Sequence, residues 1–237
     1  MTAANHAARL GLVTALLEPQ PAFGGQVATV NELDDWPATN STSGVELAAS
    51  LARQARDAGV HISDQHAMSL SREGRGLLRI AMDHAPLHAQ RVLVASGARL
   101  LALGVPGEER LHGKGVSQCA DCDGQFFRGQ DVVVVGGGDS AVQEALILAR
   151  TSRSVAVVVR SRLKARRSYR DEAAKTTNLR FVWDSSVEEV LGTSAVEAVR
   201  ILNRRSGERS DFPCSGVFPF IGVKPNSEYL PEEIERG

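Results

Sequence analysis

An α/β fold is what this sequence predicts, on three observations. Short apolar runs such as "DVVVV" and "SVAVVV" alternate with stretches of helical spacing such as "GVELAASLARQARDAG" and "GGGDSAVQEALILAR". A glycine-rich turn stands directly between one of those strands and its helix. The order helix, strand, cluster of short strands then occurs in both halves, on either side of "GVPGEERLHGKG", which has the composition of a linker. At 237 residues the chain has room for one large or two small domains. A net charge of -1 gives no reason to expect nucleic acid or an anionic membrane as partner. No apolar run approaches the roughly 20 residues of a membrane span. The opening "MTAANHAARLG" lacks the basic end and apolar centre of a signal peptide, so a cytoplasmic location is expected.

Taken in order, "TAANHAARLG" is alanine-rich with a glycine stop and predicts a helix. "LVTALLE" predicts a buried strand ending on Glu18. "AFGGQVATVNELDDWPA" is too punctuated for a regular element, and the helix after it has Ser43 as its cap. "VHIS", "AMSLSR", "LLRIAM" and "QRVLVAS" predict short strands forming a meander. After the linker the pattern restarts, with strands at "DVVVV", "SVAVVV", "NLRFVW", "SVEEVLG", "AVEAVRIL" and "SGVFPFIG". The expected domains are 1–104 and 105–228, with 229–237 turning back towards the first.

The chemistry concentrates in "SQCADCDGQFFRGQDVVVVGGGDSA". Gly136, Gly138 and Ala141 match the G-x-G-x-x-G/A pattern in the strand–turn–helix context that gives it meaning. The first glycine permits a tight turn, the second lets backbone approach a pyrophosphate, and the small third residue lets the helix pack on the strand. Gly136, Gly137, Gly138, Asp139 and Ser140 are therefore candidate dinucleotide-binding residues. A domain for NAD usually ends its second strand in an acid, about 20 residues past the first glycine. Here Arg160, Arg162, Lys164, Arg166 and Arg167 crowd that place, which suits a 2′-phosphate and favours NADPH.

Cys119 and Cys122 are three apart, on one face of a helical turn, and Asp123 follows as a proton donor or acceptor. A zinc site would want four ligands and there is no second C-x-x-C, so no metal is expected. Cys214 reads as a small buried apolar side chain.

Together, "FGGQ", "DDWPA", "VASGA", "GVPGEERLHGKGVSQCADCDG", "VVVVGGGDSAVQEA" and "GVFPFIGVKPN" resemble the low-molecular-weight thioredoxin reductase family over nearly the whole chain. The resemblance implies two Rossmann-like dinucleotide-binding domains of the three-layer ββα type, an FAD domain interrupted by an NADPH domain. Electrons would pass from NADPH through FAD to the Cys119–Cys122 disulfide, and on to thioredoxin or a similar small disulfide protein. Cys122 would be the flavin-proximal sulfur, Cys119 the one that exchanges with the partner, and Asp123 the acid serving that exchange. Glu18 would hold the adenosine ribose of FAD. Gly24, Gly25, Gln26 and Asp35 would border the flavin, and Ser96 and Gly97 belong to the same set of expected cofactor contacts. Members of the family pair as homodimers, which makes a homodimer possible here.

The sequence also departs from that family. Its first strand and phosphate-binding turn, and its last FAD-domain segment, have no counterpart, so the FAD domain is expected to be incomplete. An alternative is therefore an inactive or partial piece of such an enzyme that retains only NADPH binding. Another is a non-enzymatic NADPH-binding or dithiol module.

Overall fold

The computed structural model of the chain describes residues 1–20, 23–31, 33, 36–37 and 42–234. The chain divides into two compact units, Met1–Ala98 with Pro225–Gly237, and Arg99–Lys224.

The first unit contains helix α1 (Thr2–Arg9), strand β1 (Ala15–Leu17), helix α2 (Gly44–Asp57), strand β2 (His61–Ser63), and the strands β3 (Ala67–Arg72), β4 (Leu78–Met82) and β5 (Leu87–Ala89). β1 and β2 pair in parallel, with Leu16 opposite Ile62. β3, β4 and β5 form an antiparallel meander. α2 starts where Ser43 predicts. The Ser43 Oγ accepts the Glu46 N–H at 3.2 Å, and the Glu46 carboxylate accepts the Ser43 N–H at 2.9 Å. Its buried stripe is small, Gly44, Ala48, Ala52 and Ala55, which lets other backbone come close. Leu70, Ile80 and Leu230 make the core beneath the meander, where the Leu70 N–H also donates to the Tyr229 carbonyl at 3.1 Å.

Three expectations for this unit change. "VHIS" supplies β2, which pairs in parallel with β1 and takes no part in the meander. "LVTALLE" supplies only three strand residues, none of them fully buried, and Val13 before them is exposed. "QRVLVAS" is not a strand. Residues 91–97 pair with no other strand among the described residues, and Leu93 and Val94 are 70% and 42% exposed. An apolar run becomes a strand only where a neighbouring ladder takes its N–H and C=O groups. The meander ends instead at β5, a strand the sequence did not predict.

The chain enters the second unit through β6 (Ala98–Leu100). The expected linker is an ordered turn, not a tether. Buried Glu108 accepts the N–H groups of Leu103 and Gly104, both at 2.8 Å, and Leu111 is fully buried. There follow the short helix α3 (Ala120–Asp123), β7 (Asp131–Val135), α4 (Asp139–Ala149), β8 (Ser154–Val159), α5 (Arg167–Lys175) and β9 (Leu179–Trp183). Next come β10 (Ser185–Leu191), β11 (Ala198–Asn203), β12 (Arg209–Pro213), β13 (Gly216–Pro219) and β14 (Val223–Pro225), the last of which pairs with β6. β13, β7, β8 and β9 form a parallel sheet in that order.

Both faces of this sheet are covered, which explains the unbroken valine runs. Val132 and Val134 point to a cluster shared with Ala141, Ala145 and Leu148 of α4. Val133 and Val135 point to a second cluster, shared with Val190, Val199 and Ile201 of the β10–β11–β12 meander. Helices, parallel sheet and antiparallel meander make the three layers, as the ββα expectation requires. Each buried valine contributes on the order of 1.5–3 kcal/mol. α5 and β12 were not expected from the sequence.

Candidate functional site

Every candidate residue for NADPH and for disulfide chemistry lies in the second unit. The glycine turn leaves the carboxyl end of β7. Gly136 has φ +145, and a Cβ there would sit 2.2 Å from the Phe220 carbonyl oxygen, so only glycine is accommodated. At Gly138 the contrast is complete: nothing lies within 4 Å of where a Cβ would project. Open backbone just before α4 is what a pyrophosphate needs, so the turn fits a dinucleotide. Asp139 begins α4 and Ser140 is exposed beside it.

The basic segment folds back over this turn. The Gly137 carbonyl accepts the N–H groups of Lys164 at 2.6 Å and Ala165 at 3.1 Å. Arg160, Arg162 and Lys164 are exposed there. Arg166 reaches Asp139, whose carboxylate accepts its main-chain N–H at 2.6 Å and its Nε at 3.1 Å. These bonds hold the Asp139 carboxyl below the usual carboxylate range, the main-chain bond contributing most. The sequence placed Arg166 in the basic crowd but did not reveal its acidic partner.

Cys119 and Cys122 form a disulfide with their Cα atoms 5.3 Å apart. Cys119 caps α3 and is half-buried, whereas Cys122 is exposed. The Cys119 N–H donates to the Oγ of buried Ser117 at 3.1 Å, and the Cys122 N–H donates to the Cys119 Sγ at 3.1 Å. The Asp123 N–H donates to the Cys119 carbonyl at 3.1 Å, which places Asp123 on the same turn. Phe126, just beyond, is 76% exposed. The Ala120 N–H goes to Glu144 of α4 at 2.7 Å. Sequence reasoning missed Glu144. The available signal is its place on the stripe of Ala141, Ala145 and Leu148, where an acid stands out. Cys214 is buried, as expected, and burial pushes its thiol up to about 12.

The flavin candidates lie in the first unit. Glu18 follows β1, with one carboxylate oxygen accepting the Gln20 N–H at 3.1 Å. Gly24 has φ +115 and faces Ala48 of α2, where a Cβ would come within 2.6 Å of the alanine methyl. Gly25 also has positive φ, with open space around it. The Gln26 amide donates to the Ala98 carbonyl, and Ser96 Oγ donates to the Asn226 carbonyl at 2.6 Å. Gly97 adjoins both, so Gly24–Gln26 and Ser96–Ala98 are brought together. A strand-end acid such as Glu18 suits a ribose hydroxyl, and the backbone at Gly25 is open to a ligand. Asp35 lies outside the described residues. Among the described residues, no group of three or more His, Cys, Asp or Glu is arranged to hold a metal ion.

Residues 1–236 match the model of the pyridine nucleotide-disulphide oxidoreductases. The chain belongs to that family. Within it, the chain is 33% identical to a thioredoxin reductase of Treponema pallidum, over 98% of this chain and 76% of that one. It is 36% identical to a bifunctional thioredoxin reductase/thioredoxin of Mycobacterium leprae, over 99% of this chain but 51% of the relative. The chain thus spans between half and three quarters of the length of these relatives. A crystal structure of Lactococcus lactis thioredoxin reductase superposes with a TM-score of 0.90 at 33% identity, covering 96% of this chain and 75% of that one. This membership in the oxidoreductase family, on its thioredoxin reductase branch, agrees with the resemblance carried by the redox pair and the glycine turn. No helix among the described residues is long and apolar enough to cross a membrane.

Proposed function

We propose that this chain serves NADPH- and FAD-dependent disulfide reduction, with thioredoxin or a similar small disulfide protein as the electron acceptor. The observation that carries the reading is that the Cys119–Cys122 disulfide and the glycine turn belong to one unit and meet on one helix, α4. NADPH and flavin, when bound, would supply the two electrons that reduce the disulfide.

The residues of the chain have distinct parts in this reading. Gly136 to Ser140 receive the pyrophosphate on backbone N–H groups, while Arg160, Arg162 and Lys164 receive the 2′-phosphate. Cys122, which is exposed, would be the sulfur that receives the electrons. Reduction takes two electrons and two protons and leaves two thiols. Cys119, as thiolate, then attacks a partner disulfide, forming a mixed disulfide and expelling a partner thiolate that Asp123 helps protonate. The Cys122 N–H already aimed at the Cys119 Sγ favours that thiolate. Cys122 attacks the Cys119 sulfur next, which releases the reduced partner and restores the Cys119–Cys122 disulfide.

Calorimetry with NADP⁺ and with 2′,5′-ADP tests the first half of this reading. Both should bind, and NAD⁺ should bind at least tenfold more weakly. Binding of neither adenosine 2′-phosphate compound would end it. If they bind but NADPH with added FAD never reduces the disulfide, the partial piece and the non-enzymatic NADPH-binding module are the readings that survive.

A further inference from the structure

Glu144 is a carboxylate where apolar side chains are expected. It shares the stripe of α4 that carries buried Ala141, Ala145 and Leu148, and it is itself half-buried. Burial pushes its carboxyl up, a hydrogen bond from Ala120 counteracts this, and the negative charge of Asp121 adds to the rise. A carboxylate drawn out of water in this way needs a hydrogen-bond donor beside it.

That donor comes from the redox turn. The redox turn has four N–H groups whose acceptors are defined. Three of them stay within the turn or just before it: Cys119 to Ser117, Cys122 to the Cys119 sulfur, and Asp123 to the Cys119 carbonyl. The fourth, from Ala120, leaves the turn and ends on the Glu144 carboxylate at 2.7 Å. Ala120 is 2% exposed, so without that acceptor its N–H would be hidden from water as well as unbonded. Glu144 is also only five residues beyond Asp139, about 7.5 Å along the helix that opens on the glycine turn.

Resting on the reading of Cys119–Cys122 as a redox pair, we infer that Glu144 is its positioning residue: its carboxylate pins the Ala120 N–H to α4 and thereby sets the balance between disulfide and dithiol. While the N–H is held by Glu144 it is withheld from the Cys119 thiolate, and the carboxylate adds a charge that opposes thiolate formation. Both effects favour the disulfide. Asp121 and Asp123 on the same turn act in the same sense as that charge.

The test equilibrates the full chain, Glu144→Gln and Glu144→Ala with mixtures of reduced and oxidised dithiothreitol, then traps thiols and counts them. Cys214 contributes one constant thiol. Gln keeps an acceptor oxygen and loses the charge, so its equilibrium should move towards dithiol by about threefold. Ala loses both and should move by about tenfold or more. Hydrogen exchange at the Ala120 amide should accelerate at least about tenfold in the Ala variant and change less than about threefold in the Gln variant. Should Glu144→Ala lose its fold, Glu144→Met, similar in length but without a good acceptor, replaces it with the same expectation. An Ala variant within threefold of the parent in both measurements overturns the inference, and so do Gln and Ala variants that coincide. A parent whose disulfide never exchanges with dithiothreitol overturns the reading of a redox pair as well. Exchange in the parent with unresponsive variants sinks only the role of Glu144.

Discussion

The Asp139 carboxylate accepts both the main-chain N–H and the Nε of Arg166, so the first residue of α4 is neutralised by the basic segment folded over the glycine turn. This matters because an acid at that position otherwise faces incoming phosphates. Arg166→Ala should weaken NADP⁺ binding by roughly fivefold, since Asp139 is left uncompensated. Adding Asp139→Asn to that variant should recover most of the loss. Calorimetry on the two single variants and the double variant checks the cycle, and strictly additive losses would contradict it.

The exposed arginines make a separate expectation about cofactor choice. Arg160→Ala and Arg162→Ala should each weaken NADPH about tenfold while leaving NADH nearly unchanged, because only NADPH carries the 2′-phosphate. Added salt should narrow the gap between the cofactors. Titration of each variant with both cofactors decides the matter, and equal losses for both would count against a 2′-phosphate site.

The Gly136 backbone carries the turn. Gly136→Ala forces a Cβ towards the Phe220 carbonyl at 2.2 Å in a conformation of φ +145. Overpacking and backbone strain each cost about 1–3 kcal/mol, so the variant should lose about 2–5 kcal/mol of stability. A thermal melt unchanged by the substitution would show that the turn has another conformation open to it.

Acid stability should follow Asp131. Its side chain is held by Arg153, with the Ser154 hydroxyl donating at 2.8 Å, and its carboxyl is lowered from 3.8 to about 2. A depressed carboxyl stabilises the fold above its unfolded value, and that contribution is lost as pH falls from about 4 towards about 2. Asp131→Asn should therefore melt lower at neutral pH and flatten the acid limb in that window. Parallel melting curves for parent and variant from pH 5 to 2 would contradict the assignment.

What could be read from the sequence was what local chemistry dictates. Val132 to Val135 signalled a strand and Ser43 signalled the start of α2, while the cover on both sheet faces and the reciprocal bond of Glu46 are seen only in the structure. The two cysteines signalled a disulfide because three residues of helical turn bring their sulfurs together. α5 was hidden because its sequence is mostly charged. Only Ala173 is fully buried, and Tyr169 turns its ring towards Arg166 instead of into a full apolar stripe. β12 was masked by Pro213, which is tolerated in an edge strand of the meander. "QRVLVAS" shows the converse, since strand composition at Val92 to Val94 does not create a partner. Spacing marks Glu144 as an acid on an apolar stripe, but its partner Ala120 and the Asp139–Arg166 pair depend on contacts between elements, which spacing along the chain does not record.

In the proposed reaction Cys119 is the thiolate that exchanges with a protein disulfide. The most direct measurement mixes Cys122→Ser, and separately Cys119→Ser, with an oxidised thioredoxin whose own resolving cysteine has been replaced and whose remaining cysteine is activated as a mixed disulfide with a chromogenic thiol. A covalent complex through Cys119 should form in the first mixture, with release of the chromogen, and complex formation should be at least tenfold slower in the second. Equal rates in the two mixtures, or no complex in either, would contradict it.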